Sequence, residues 1–221
     1  MAEGFGAFGK IPSMGDFLRL NLSASFVKVW DEWMQRNMLA AQDRLGTAWR
    51  DNYLSAPIWR FTMPAHHTGA AAMSGILMAS VDRVGRQYPV SLISPHPPGN
   101  SALTHFANRP VFERLEALAL HVLDQDLGRD DLAARISSEH LLLAPGTPVN
   151  GDSYAGAIPA EALLAAEALS QKHPDKGIWT TTMDGDSRMM LCSALPNAQE
   201  FLALFDLNAP LWRNMSMAPT I

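Results

Sequence analysis

Two apolar runs of strand length, Met73 to Ser80 and Tyr88 to Ile93, flank a short polar stretch. Continuous apolar runs bounded by turn residues suit strands buried on both faces. Between them Asp82, Arg83 and Arg86 crowd around Gly85. The pattern predicts a tight turn, with the glycine in a conformation that other residues avoid. A helical period governs the segment before them: Phe26, Val29, Trp30, Trp33, Asn37, Ala41 and Leu45 fall near one face. Ser23 or Ser25 caps this helix and Gly46 stops it. Thr47 caps a short helix through Tyr53, and Pro57 to Met63 reads as a strand whose Arg60 emerges beside the Asp82 loop.

The remaining pattern fills in both ends. Residues 3–11 alternate glycine with aromatics, as in a strand with close backbone neighbours, and Pro12 to Asp16 make a turn. Pro95 to Asn100 break the chain sharply. Pro110 opens a helix to Asp126 with Val111, Leu115, Leu118 and Val122 on one side, and a second helix covers Asp130 to Ser137. Residues 144–152 read as a long, flexible surface loop, and Pro159 starts a helix to Ser170. Gly177–Met183 and Arg188–Leu195 form a hairpin through Asp184-Gly185, a pair that type I′ turns favour. Pro196 opens a last helix with Phe201, Leu202 and Phe205 on its apolar side, and Trp212 tethers the tail.

Alternating strands and helices predict an α/β fold: one mixed sheet of five to six strands with helices on both faces, a three-layer sandwich. One domain over residues 1–208 is expected, with a subdivision possible at 96–100 and a tail over 209–221.

Composition narrows the function. Hydrophobic content of 48% with 18% charged residues supplies an ample core. A formal charge of −5 and the lack of a basic stripe exclude nucleic acid, which needs concentrated lysine and arginine. The single cysteine, Cys192, fits a reducing compartment. The N-terminus carries no signal-peptide pattern, and the weakly polar run from Gly69 to Val81 is too short for a bilayer, so no membrane insertion is expected. Most of the twelve Met and six Trp are expected to fill the core.

Candidate chemistry is sparse. Gly4, Gly6 and Gly9 match the dinucleotide fingerprint, and Gly4, Gly9 and Lys10 match Walker A spacing. No strand precedes them, Pro12 follows at once and Ile11 replaces the magnesium-binding hydroxyl, so neither reading holds. His66 and His67 are adjacent and point differently, which does not suit one metal, and turn chemistry accounts for Asp184 and Asp186. There is no G-x-S-x-G elbow, and Cys192 lies in an apolar strand pattern. No catalytic set, cofactor or metal is expected. What remains is a charge cluster at turns and strand ends: Lys10, Asp16, Arg60, Asp82, Arg83 and Arg86. It reads either as an ion pair pinning a strand connection or as an arginine fork gripping a partner's acidic group or a phosphate.

Four blocks carry a family resemblance. Phe8 to Phe17, Trp30-Asp31-Glu32-Trp33, Pro57 to Phe61 and Ser80 to Arg86 with Tyr88-Pro89 resemble, in that order along the chain, the type VI secretion-associated TagF family. Ala79 stands where the family usually has proline, and Thr180 where a second tryptophan is common. The second half matches loosely, through Gly177-Ile178-Trp179 and the segment after Pro196. The resemblance implies the same three-layer fold. It also implies a non-enzymatic, cytoplasmic, post-translational repressor of type VI secretion, tied to threonine-phosphorylation control and to the forkhead-associated scaffold Fha. Some relatives are fused to a PP2C-type phosphatase domain, which is absent here. The alternatives are a small α/β enzyme acting on a phosphorylated or acyl substrate in a cleft near the Asp82–Arg86 loop, and a structural subunit of the secretion apparatus.

Overall fold

The computed structural model describes residues 4–123, 128–142 and 158–213. The strands are β1 (Gly6–Gly9), β2 (Leu18–Leu20), β3 (Trp59–Met63), β4 (Ala72–Met78), β5 (Val90–His96), β6 (Gly177–Met183) and β7 (Asp186–Cys192). They form one sheet in the order β2-β1-β5-β4-β3-β6-β7. The α/β class and single sheet agree with expectation, with seven strands against the expected five to six. Every pairing is antiparallel, where a mixed sheet was expected. The connections explain this. Parallel neighbours need a crossover of about a dozen residues or more, whereas β3–β4, β4–β5 and β6–β7 are joined by shorter segments.

One face of the sheet carries α1 (Ala24–Leu45), α2 (Trp49–Leu54), α8 (Ala198–Phe205) and α9 (Pro210–Arg213). Alternation aims Trp59 and Phe61 of β3, Met73 and Leu77 of β4, Ile93 of β5 and Trp179 of β6 at them. Trp30 of α1 is fully buried against Phe61, with ring centroids 5.3 Å apart, and its indole N–H donates to Ser91 Oγ at 3.2 Å. Trp33 donates to the Pro196 carbonyl at 2.7 Å. Helix periodicity therefore places both tryptophans in the core, while Val29, expected on the same face, is 39% exposed. Trp212 stacks on Trp59 and donates to the Ala203 carbonyl, so it ties α9 down.

The opposite face carries α4 (Ser101–Ala107), α5 (Arg109–Leu123), α6 (Arg129–Ser137) and α7 (Ala160–Lys172). The short α3 (Ala65–Thr68) joins β3 to β4. Helix α4 was not expected. The break read at residues 95–100 masks it, because β5 runs on through Pro95 and His96 before Asn100 caps α4. The proline lies at the end of β5, beyond the last pairing with β1 at Ile93, where that side of the strand is an edge. The sheet continues past this break, since β6 pairs with β3. The loop expected over 144–152 lies outside the described residues. The 184–185 turn has positive φ at both Asp184 (54°) and Gly185 (87°), as type I′ requires. No described helix is long and apolar enough to cross a membrane.

Helix α8 begins with a complete capping box. Asn197 accepts from the amides of Gln199 and Glu200, and the Glu200 carboxylate accepts from the Asn197 amide. Asn197→Ala is expected to cost about 1 kcal/mol, measured as a lower urea midpoint at unchanged slope.

Candidate functional site

The turn between β4 and β5 is built around one carboxylate. Val81 and Gln87 form an isolated bridge, the Gly85 amide donates to the Asp82 carbonyl (2.9 Å), and Gly85 takes φ of 83°. The Asp82 side chain has no solvent exposure. Its Oδ1 accepts from the amides of Val84 (3.1 Å) and Arg86 (2.9 Å). Its Oδ2 accepts from Arg86 Nε (2.6 Å) and Lys10 Nζ (3.0 Å). Burial raises the carboxyl pKa, but the Arg86 amide, Lys10, the Arg86 guanidinium and the Val84 amide outweigh it and hold the group well below the usual carboxylate range.

Two neighbouring segments converge on this turn. At Gly9 φ is +136°, and a Cβ there would sit 2.1 Å from the Pro89 carbonyl oxygen. Only glycine lets the end of β1 press so closely on Pro89 and deliver Lys10 beneath Asp82. The Pro12–Asp16 turn is latched on the other side. Arg83 donates its amide to the Met14 carbonyl (2.9 Å), and Arg86 Nη2 donates to the Gly15 carbonyl (2.7 Å). Phe17 packs edge-on to Tyr88 with centroids 4.7 Å apart, and Lys10 lies 5.2 Å from the Phe17 ring centre. Tyr53 braces the base: its hydroxyl donates to the Ser80 carbonyl and accepts from the Ser80 amide.

The six sequence candidates therefore divide. Lys10, Asp82 and Arg86 form one ion-paired knot. Arg83 is exposed beside it, its guanidinium running along Gly15, and Asp16 accepts from the Phe17 amide. Arg60 does not emerge beside the Asp82 loop. It makes a bidentate pair with Glu116 of α5, at 2.6 and 2.7 Å, on the other helical layer's side of the sheet. Outward from the knot stand Arg83, Arg86 with 61% of its side chain exposed, Val84 at 70% and Phe17 at 38%.

A second polar feature was missed. On the α4–α5 face, Thr62, Ser74 and His96 of β3, β4 and β5 meet His105 of α4 and Thr180 of β6. His105 sits 3.1 Å from Thr62 Oγ1 and 2.8 Å from Thr180 Oγ1. Ser74 Oγ donates to Thr62 Oγ1 at 3.0 Å and lies 2.9 Å from His96 Nε2, whose Nδ1 faces the Pro97 carbonyl. Hydroxyls at inward strand positions were the available signal. A cavity of about 660 Å³ borders this seam, lined in part by Arg60, His105, Thr180 and Thr182. Its imidazole is a poor base: burial and the nearby Arg60 charge push His105 down to about 3, and hydroxyls rather than a carboxylate orient it. Among the described residues no three metal-ligating side chains cluster.

A family model described as the TagF N-terminal domain, type VI secretion system-associated, matches residues 6–138. All six candidates of the charge cluster fall inside that stretch. No curated protein matches the chain. Among solved structures, the crystal structure of PA0076 from Pseudomonas aeruginosa PAO1 is similar, with a TM-score of 0.75 and 29% identity over 98% of this chain and 99% of that one.

Proposed function

The chain belongs to the type VI secretion-associated TagF family, and from that premise we propose that it is a cytoplasmic repressor that restrains the apparatus by docking on a regulatory component, with the scaffold Fha as its partner. One observation supports a docking role for the Asp82 turn. Its acid is entirely satisfied from within, so the knot fixes the loop's shape while Arg83, Val84 and Arg86 face outward with Phe17 beside them. An exposed apolar tip ringed by arginines on a rigid turn is the composition of an interface anchor.

The double variant Arg83→Glu/Val84→Asp tests this without touching the Asp82 carboxylate. It is expected to keep the wild-type melting curve, to lose Fha in a co-precipitation, and to raise secretion as deletion of the protein does. Retained co-precipitation with an unchanged secretion level would remove the turn from the interface.

A further inference from the structure

A groove runs between α1 and the α8–α9 pair, on the helical layer that covers the tryptophan face of the sheet. One stretch, of about 670 Å³, lies between Ala40 and Arg44 of α1 and Ala198, Leu202 and Ala209 opposite. A contiguous stretch of about 450 Å³ shares Ala40 and Ala198 and reaches Arg36 and His67. Helix geometry builds its rim. Arg36, Ala40 and Arg44 are spaced by four, so they line one face of α1, the two arginines about 12 Å apart along the axis. Ala40, Ala198 and Ala209 keep the floor low where larger side chains would close it.

Two further observations point to a ligand. First, neither Arg36 nor Arg44 forms an ion pair among the described residues, whereas Lys28, Arg86, Arg109 and Arg129 each lie beside an acid on their own helix or turn. A local pair of free cations on a chain of charge −5 favours a negatively charged occupant. Second, His67 is 8% exposed, lines the inner end, and has no hydrogen-bond partner on either ring nitrogen. Burial and His66 lower its pKa. The Asp175 and Ser193 carbonyls pull it back without reaching hydrogen-bond geometry, and Lys176 lowers it further. A neutral imidazole with unused donor and acceptor capacity is costly to leave bare. Gly177 leaves the ring room, since a Cβ there would lie 3.1 Å from it.

We propose that this groove is a second docking site, for an acidic segment of a partner protein whose small apolar side chains lie on the alanine floor. Its carboxylates reach Arg36 and Arg44, and one of its polar groups bonds His67. None of the groove's residues belongs to the Asp82 turn, so this site stands independently of that one.

Panning a phage-displayed library of random dodecapeptides against the full chain tests the proposal. The expected outcome is enrichment of peptides carrying two or more acids among small apolar residues. Their binding should weaken roughly tenfold or more in Arg44→Glu, the scale of one lost charge-assisted contact, and vanish in Ala40→Trp, which fills the groove. Both positions are on the exposed side of α1, and circular dichroism checks that each variant stays folded. Ring-proton shifts of His67 on adding the selected peptide should move, and those of His140 should not. Failure to enrich binders, binders without acidic bias, or binders indifferent to Ala40→Trp would each overturn the proposal. So would a concentration-dependent dimer that Ala40→Trp abolishes, which would assign the groove to a second copy of the chain.

Discussion

Asp82→Ala is expected to be the most damaging single substitution in the charged knot, lowering the melting temperature by several degrees or preventing folding. The change removes an acceptor used four times over. It strands the Lys10 ammonium, whose side chain is only 10% exposed, and leaves two amides of a tight turn without a partner. An uncompensated buried charge destabilises far more than the intact pair stabilises. Asp82→Asn keeps an oxygen for the amides but loses the charge that holds Lys10, so its melting temperature should fall between wild type and alanine. The double variant Asp82→Ala/Lys10→Met should melt above Asp82→Ala alone, because no ammonium is left stranded. If the double variant melts lower instead, the penalty lies in the turn and not in the charge. Thermal denaturation of the four proteins side by side decides it.

How much of this was legible beforehand depends on whether a contact is local in sequence. The positive φ of Gly85 and an Asp82–arginine pair follow from five consecutive turn positions, though the spacing suited Arg83 as well as Arg86 and the fold selects Arg86. Lys10 joins from 72 positions away. It joined the candidate cluster only as one of several charged residues near predicted turns and strand ends. Arg60 went astray for the same reason in reverse. Strand alternation says which face a side chain takes, but nothing in the spacing tells that Glu116 of a distant helix will meet it. Helix α1 was readable from its period and its caps, Ser23 and Gly46. The antiparallel order was not, since strand–helix alternation suits either direction until loop lengths are weighed. The seam of Thr62, Ser74, His96, His105 and Thr180 draws on four strands and a helix, and apolar-run counting passes over inward hydroxyls.

These two polar features also separate the functional readings. In the knot, every strong acceptor is already occupied, which suits a rigid shape offered to a partner. The seam beside the cavity is likewise closed on itself: both nitrogens of His105 face hydroxyls. A general base needs a pKa near the working pH and a free lone pair toward the substrate, and His105 offers neither. His105 therefore presents no base toward the neighbouring cavity.

The seam carries the second large prediction: stability should fall steeply as the solution is acidified from pH 6.5 towards 4. His105 is held at about 3 by burial and by Arg60, against an unfolded value of 6.5. Burial also lowers His96, against the opposing pull of the Pro97 carbonyl, and His67 is lowered too. Below 6.5 the unfolded chain takes up protons that the native histidines refuse, so each pH unit removes about 1.4 kcal/mol through His105, with His96 and His67 acting in the same direction. The contribution is fully present above 6.5 and is lost as pH drops toward the native value. Asp82 acts in the same direction, but only below the unfolded carboxylate range near 4, so the interval between 6.5 and 4 isolates the imidazoles. His105→Gln, which can still donate to one threonine and accept from the other, should lower stability at pH 7 yet flatten this slope by about one proton. Urea unfolding at half-unit pH steps measures both numbers. An unaltered slope in His105→Gln would mean that acid enters the fold elsewhere, and that the imidazole between Thr62 and Thr180 is already charged or freely hydrated in the native state.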